Sequence, residues 1–124
     1  MFLIPATFPL AEYVGYRVEN VDEGSHYVFI HLQPRGSVTG YIQFEGPVVL
    51  RLPNGEETRV ANEQLVPGSA AFASLTGSQI TKASRLSAAS CRFEFSNGCA
   101  LDLIGEKEGY ESYHLSVGGQ VCDV

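Results

Sequence analysis

The chain has 124 residues, of which 44% are hydrophobic and 18% are charged, and its formal net charge is −6. This length fits one domain, and Val, Leu, Ile and Phe make up 35 of the 124 residues, well above the share of roughly 20% below which chains are typically disordered. The composition therefore excludes a disordered tail, a collagen-like chain, a coiled coil and a multidomain enzyme, and it predicts a single domain over residues 1–124.

The first half of the chain alternates between apolar and polar residues, which indicates half-buried strands. Strands are predicted over residues 13–21, 26–32, 40–45 and 47–52, with a turn at 22–25 and a break at Gly46-Pro47. In the second of these strands, alternation places His26, Val28, Ile30 and Leu32 on one face and Tyr27, Phe29 and His31 on the other.

The turn Pro53-Asn54-Gly55 is predicted to hold three residues, with its glycine last and in the left-handed conformation. Proline suits the second position of such a turn because its φ angle is fixed. This loop length places Leu50 opposite Thr58 on one face of the hairpin and Arg51 opposite Glu57 on the other.

A second Asn-Gly turn, Ser96-Asn97-Gly98, leads to the same prediction. A two-residue loop would put the apolar rows of the two strands on opposite faces, whereas a three-residue loop pairs Phe93 with Leu101 on a shared face. In this register Cys91 and Cys99 lie four strand positions apart, about 13 Å, so no disulfide between them is expected.

Helix signals are weak in the remainder of the chain. Residues 61–66 could form one turn, and residues 81–89 are predicted as strand running into a loop at 87–90, because serines offset the helix propensity of the alanines. Late strands are predicted over 110–117 and 120–124. The predicted fold class is all-β with little or no helix, as a small antiparallel barrel or two packed sheets.

The two halves are predicted to be copies of one strand unit, over residues 14–61 and 76–124. At a spacing of 62 or 63 residues, Gly15 aligns with Gly77, Gly36 with Gly98, and a strand beginning at Tyr41 with one beginning at Tyr110. A rival spacing of 43 residues superposes the two Asn-Gly turns instead. Only one of these spacings can mark a duplication.

The most unusual local run is Gly109-Tyr110-Glu111-Ser112-Tyr113-His114. Tyr110, Glu111, Tyr113 and His114 are the candidate recognition or pocket residues, although a tyrosine-rich strand whose hydroxyls bond to the backbone is the alternative interpretation. No catalytic, cofactor-binding or metal-ligating set is predicted, because the sequence has no nucleophile elbow, phosphate-binding glycine motif or paired-histidine spacing.

The segment Phe95-Ser96-Asn97-Gly98-Cys99-Ala100-Leu101, followed by Tyr110-Glu111-Ser112-Tyr113, resembles a signature of small uncharacterised bacterial β-domains. Their pattern is an F-x-(D/N)-G-x-x-L hairpin followed by Y-E-S and then Trp or Tyr, and the resemblance covers about residues 75–117. Tyr113 stands where Trp is commoner in the pattern. The resemblance implies a β fold with no assigned activity, and some small acidic relatives are suspected partners of toxins.

An acidic surface with two lysines, Lys82 and Lys107, argues against direct binding to nucleic acid or to an anionic membrane. The expected location is the cytoplasm, with three reduced cysteines. The expected function is non-enzymatic protein interaction, including neutralisation of another, basic protein, and self-association as a homodimer is also predicted. A small-ligand pocket near Tyr110–Tyr113 is the alternative, and a hydrolase ranks third.

Overall fold

The alternating segments form ten antiparallel strands, which are divided between two sheets. The structure, a computed structural model, describes residues 3–24, 27–34, 36, 39–45, 47–60, 70–105 and 113–124. Its strands are β1 (Val18–Glu23), β2 (Val28–Leu32), β3 (Tyr41–Phe44), β4 (Val48–Arg51), β5 (Glu57–Val60), β6 (Ile80–Ser87), β7 (Ser90–Phe95), β8 (Ala100–Leu103), β9 (Tyr113–Val117) and β10 (Gln120–Asp123). The predicted all-β class is confirmed.

Each sheet has five strands, and each takes strands from both halves of the chain. Sheet I has the order β1-β2-β3-β9-β10, and sheet II has the order β5-β4-β8-β7-β6. Backbone hydrogen bonds of 2.8–2.9 Å join residues 15–18 to residues 77–80, so the sheets meet along the edges formed by β1 and β6. No strand pairing within the described residues joins the other two edges, β5 and β10. Of the two predicted architectures, the protein therefore has two packed sheets and not a barrel.

Both Asn-Gly turns have the predicted three-residue length. A backbone hydrogen bond joins the residues that flank each loop, at 2.8 Å in the first turn and 2.9 Å in the second. Gly55 and Gly98, the last residues of the two loops, both have a φ angle of +90°. Phe93 lies opposite Leu101 as predicted, and the hairpin of β4 and β5 also has the predicted pairs.

The prediction of a strand over residues 13–21 is wrong at its beginning. Leu10–Tyr13 form a 3-10 helix, and β1 begins at Val18. The Tyr13 side chain is fully buried between the sheets, where its ring packs edge-on against Phe93 with centroids 5.0 Å apart. Its hydroxyl donates a hydrogen bond of 2.8 Å to the carbonyl of Tyr41. Burial of this side chain accounts for a helical turn where alternation predicts a strand.

One other helical segment, α1 over Ala70–Ala73, is described. No helix among the described residues is long and apolar enough to cross a membrane. The predicted turn at 61–66 lies outside the described residues. The predicted loop at 87–90 is shorter than expected, since β6 continues to Ser87 and β7 begins at Ser90.

The core lies between the two sheets and is formed by the inward-facing residues of nearly every strand. In β2 and β9, buried residues alternate with partly exposed ones, as predicted. The N-terminal segment adds Ile4 and Phe8 to this core. Arg85 holds the segment in place, because its guanidinium donates hydrogen bonds of 2.8 and 2.9 Å to the carbonyls of Ile4 and Pro5.

The strand order of one sheet is repeated in the other. In the order of sheet I, each strand of the first half can be replaced by the strand numbered five higher, and each strand of the second half by the strand numbered five lower. The result is the order of sheet II. Local features also recur 62 residues apart. Gly15 and Gly77 both have positive φ angles, as do Gly36 and Gly98. The ladder of β1 is interrupted between residues 18 and 20, and the ladder of β6 between residues 80 and 82.

This topology favours the spacing of 62 or 63 residues, with one correction. It makes β3 equivalent to β8 and β4 equivalent to β9, so the strand beginning at Tyr41 does not correspond to the strand predicted to begin at Tyr110. The rival spacing of 43 residues would superpose the turn between β4 and β5 on the turn between β7 and β8. Both turns lie in sheet II, the first at its β5 edge and the second in its interior. The duplication itself stays a prediction.

Candidate recognition face

The structure describes two of the four predicted recognition residues, Tyr113 and His114, and they point in opposite directions. Tyr113 is buried in the core, and its hydroxyl donates a hydrogen bond of 2.6 Å to the carbonyl of Ala89. This burial raises the pKa of Tyr113 well above its ordinary value. His114 lies on the outer face of sheet I. The two residues therefore do not line one pocket, and Tyr110 and Glu111 lie outside the described residues.

His114 belongs to a continuous row of outward-facing residues, one from each strand of sheet I. The row runs, in strand order, Asp22, Phe29, Gln43, His114 and Asp123. Each member is the direct cross-strand partner of the next. A carboxylate therefore stands at each end of the row, with an aromatic ring, an amide and an imidazole between them.

A second row runs beside the first, two residues away along each strand. It consists of Asn20, His31, Tyr41, Ser116 and Val121, again one from each strand. We refer to the two rows together as the recognition face. Its ten residues include two carboxylates, two imidazoles and two other aromatic rings, and the five strands that carry it contain no Lys or Arg.

Aromatic rings form a partly exposed platform in the recognition face. The rings of Phe29 and Tyr41 stack with centroids 4.9 Å apart and planes inclined by 27°. The ring of His31 lies 4.4 Å from that of Phe29. All three side chains are intermediate between buried and exposed, so the platform remains accessible from solvent.

Carboxylate–imidazole pairs flank this platform at both edges of the sheet. Asp22 Oδ2 lies 2.6 Å from His31 Nε2, and Asp123 Oδ1 lies 2.7 Å from His114 Nδ1. The side chains of Asp22 and Asp123 are 61% and 50% exposed, so both carboxylates can also interact with a molecule from solution. The ten residues of the face include these two carboxylates and no Lys or Arg.

The outer face of sheet II has the same strand order as the recognition face but a different residue composition. Its two rows are Ser84, Arg92, Asp102, Val49 and Arg59, and Lys82, Glu94, Ala100, Arg51 and Glu57. Seven of these ten residues are charged, against two of ten on the recognition face. Ion pairs between neighbouring strands run across this outer face.

Asp102 is the centre of that charged face. It accepts hydrogen bonds of 2.6 and 2.9 Å from Arg92 and of 2.7 Å from Arg51. Burial alone would raise the pKa of Asp102, but the hydrogen bonds from Arg92 and Arg51 outweigh burial and hold the pKa below its usual value. The charges of Asp102, Arg51 and Arg92 are thus paired with one another within sheet II.

The three cysteines are buried and free. Burial raises the pKa of Cys91 to about 12, which disfavours the nucleophilic thiolate. Among the described residues, no three His, Cys, Asp or Glu side chains form a group that could hold a metal ion. The described outer face of sheet I presents aromatic rings, imidazoles, carboxylates and amides.

Comparison of the chain with protein-family models, with curated proteins and with solved structures found no match. The resemblance to small bacterial β-domains therefore stays a prediction.

Alternation in the sequence places Phe29 and His31 opposite the apolar face of β2, but it does not indicate what lies beside them. The platform forms because β2 pairs with β3 and β3 pairs with β9. The second of these pairings joins residues 69 to 75 positions apart, and no local pattern predicts it. Of the ten residues of this face, His114 alone is among the recognition residues that the sequence predicts.

Proposed function

We infer that the chain is a non-enzymatic recognition domain that binds a basic segment of a partner protein on the recognition face. The observation that carries this proposal is the partly exposed Phe29–Tyr41 stack, flanked by Asp22 and Asp123 on a sheet without Lys or Arg. Aromatic rings attract cations over their faces, and carboxylates form charge-assisted hydrogen bonds with Lys and Arg. Neutralisation of a basic protein is one biological form that this binding would take.

The contrast between the two sheets supports the proposal. Both outer faces lie on the same strand order, yet sheet II presents a network of paired charges and sheet I presents aromatic rings with an excess of negative charge. Acidic surfaces increase the rate and specificity of association with basic partners. The small-ligand alternative near Tyr110–Tyr113 also stays a prediction, which depends on residues outside the described ranges.

The proposal is tested by binding of labelled peptides measured by fluorescence polarisation. The probe alternates Arg and Ser over ten residues, and a Glu-Ser peptide of equal length is its control. Tyr41→Leu keeps an apolar side chain but removes the π face, so we expect at least about a fivefold loss of affinity, equivalent to about 1 kcal/mol. Binding should weaken as salt is raised from 50 to 300 mM, since exposed charges are screened.

Leu86→Ala is the matched control, because Leu86 is an exposed apolar residue on β6, away from the recognition face. This variant should bind the Arg-Ser peptide as the unaltered protein does. Thermal unfolding of each variant checks that the fold is retained. Equal binding of the acidic and basic peptides, or equal affinity for Tyr41→Leu and the unaltered protein, would contradict the proposed function.

A further inference from the structure

The spacing of the two exposed carboxylates limits what can bind between them. Asp22 lies on one edge strand of sheet I and Asp123 on the other, in the same cross-strand row. Four inter-strand spacings of about 4.8 Å separate them, which gives about 19 Å. The Phe29–Tyr41 stack lies within the second of these spacings, between β2 and β3, counted from Asp22.

An extended peptide has a matching repeat. Successive residues rise by about 3.3 Å and alternate in direction, so residues i, i+2, i+4 and i+6 face the same surface and span about 20 Å. A segment that crosses the five strands would place side chains i and i+6 over the two carboxylates. The side chain two residues from the one over Asp22 would then lie about 7 Å along the row, above the Phe29–Tyr41 stack.

We propose that the recognition face binds one extended segment across its strands, with cationic side chains at positions i and i+6 and an arginine two residues from the cation over Asp22. This proposal rests on the proposed function and specifies its partner. The two outer cations pair with Asp22 and Asp123, and the arginine guanidinium stacks on the Phe29–Tyr41 platform. Guanidinium groups are planar and weakly hydrated, which favours arginine over lysine at this central position.

The test uses a series of Ser and Thr peptides whose two termini are blocked and so uncharged. Each peptide contains two diaminobutyric acid residues and one arginine, which lies two positions after the first diaminobutyric acid. The short side chain of diaminobutyric acid keeps its ammonium group close to the backbone. The spacing of the two ammonium residues is set at four, five, six, seven or eight, at constant composition. We expect a spacing of six to bind at least about threefold more tightly than five or seven, which turn one cation away from the face.

Substitution of each carboxylate tests whether Asp22 and Asp123 each bind one cation of the segment. Asp22→Asn and Asp123→Asn should each weaken binding of the six-spaced peptide at least threefold and remove the preference for that spacing. Glu56→Gln is the matched control, because it removes one negative charge from an exposed position on the turn between β4 and β5. This variant should keep both the affinity and the spacing preference.

The outcomes separate this proposal from the proposed function. If every spacing binds equally and Tyr41→Leu still weakens binding, the face recognises basic segments but the crossing geometry is wrong. An equal loss in Asp22→Asn and Glu56→Gln also overturns the crossing geometry, since general attraction would then explain both. If none of these peptides binds, and the Arg-Ser peptide also fails to bind, the proposed function fails together with the inference.

Discussion

At the scale of single residues, Asp102 shows how a carboxylate is accommodated on an outer sheet face with almost no contact with water. Its side chain is 5% exposed. Two guanidinium groups, from Arg51 on β4 and Arg92 on β7, cover it and donate its hydrogen bonds. Removing one partner from such a group is costly, because the remaining charges lose their hydrogen bonds while staying partly out of water.

We therefore expect Asp102→Asn to lower the free energy of unfolding at pH 7 by about 1–3 kcal/mol, measured by urea denaturation. The pKa of Asp102 is depressed in the folded state. Its stabilising effect is therefore present above the unfolded pKa of about 3.9 and is lost as the pH falls through the folded value. The difference between the variant and the unaltered protein should accordingly shrink below about pH 4.

Glu57→Gln is the control for this experiment. Arg51 lowers the pKa of Glu57 through a hydrogen bond, but Glu57 is much more exposed than Asp102. Exposed ion pairs contribute little to stability, so the control should lose less than Asp102→Asn at pH 7. An equal loss in the two variants, or a loss in Asp102→Asn that persists unchanged at pH 2, would show that the buried pairing is not the cause.

At the scale of elements, the sequence was sufficient where structure depends on neighbouring residues. The register of the two hairpins follows from the sequence because a three-residue turn keeps the apolar residues of both strands on a common face, whereas a two-residue turn does not. The order of strands in the sheets was not predicted, since the pairings of β3 with β9 and of β4 with β8 join distant segments. The recognition face depends on those pairings, so local alternation does not indicate which residues compose it.

The two turns allow a matched test of what glycine contributes. Gly55 and Gly98 share a φ of +90°, in the region that side-chain-bearing residues disfavour by about 1–2 kcal/mol. A Cβ at Gly55 would meet open space, whereas one at Gly98 would lie 3.1 Å from the Cβ of Pro53 in the neighbouring turn. We expect Gly98→Ala to destabilise the protein more than Gly55→Ala, as measured by thermal unfolding.

The difference between these alanine variants reports on the contact with Pro53, because the backbone cost is common to both. In a Pro53→Gly background the Cβ and Cγ atoms that crowd position 98 are both absent, so the extra loss in Gly98→Ala should decrease. If Gly55→Ala is as destabilising as Gly98→Ala, the contact between the turns has no energetic consequence. The backbone conformation would then account for the whole effect.

At the scale of the whole molecule, the exchange of hairpins between the sheets ties the two halves together. The first half contributes β4 and β5 to sheet II, and the second half contributes β9 and β10 to sheet I. Each five-stranded sheet therefore contains three strands from one half and two from the other. The backbone hydrogen bonds between residues 15–18 and 77–80 connect the sheets further.

This arrangement predicts that the two sheets unfold together, although the strand order suggests two repeated units. Hydrogen exchange at pH 7 measures the free energy of opening for individual amides. Asp102→Asn perturbs sheet II directly. If the amides exchange through global unfolding, this substitution should lower the free energy of opening by the same amount at Ile30 and Ile42 in sheet I as at Phe93 in sheet II. Far-ultraviolet circular dichroism and tyrosine fluorescence should give coincident urea transitions. Loss of protection confined to sheet II, with Ile30 and Ile42 unaffected, would instead mean that the sheets are separate cooperative units and that the exchanged hairpins do not couple them.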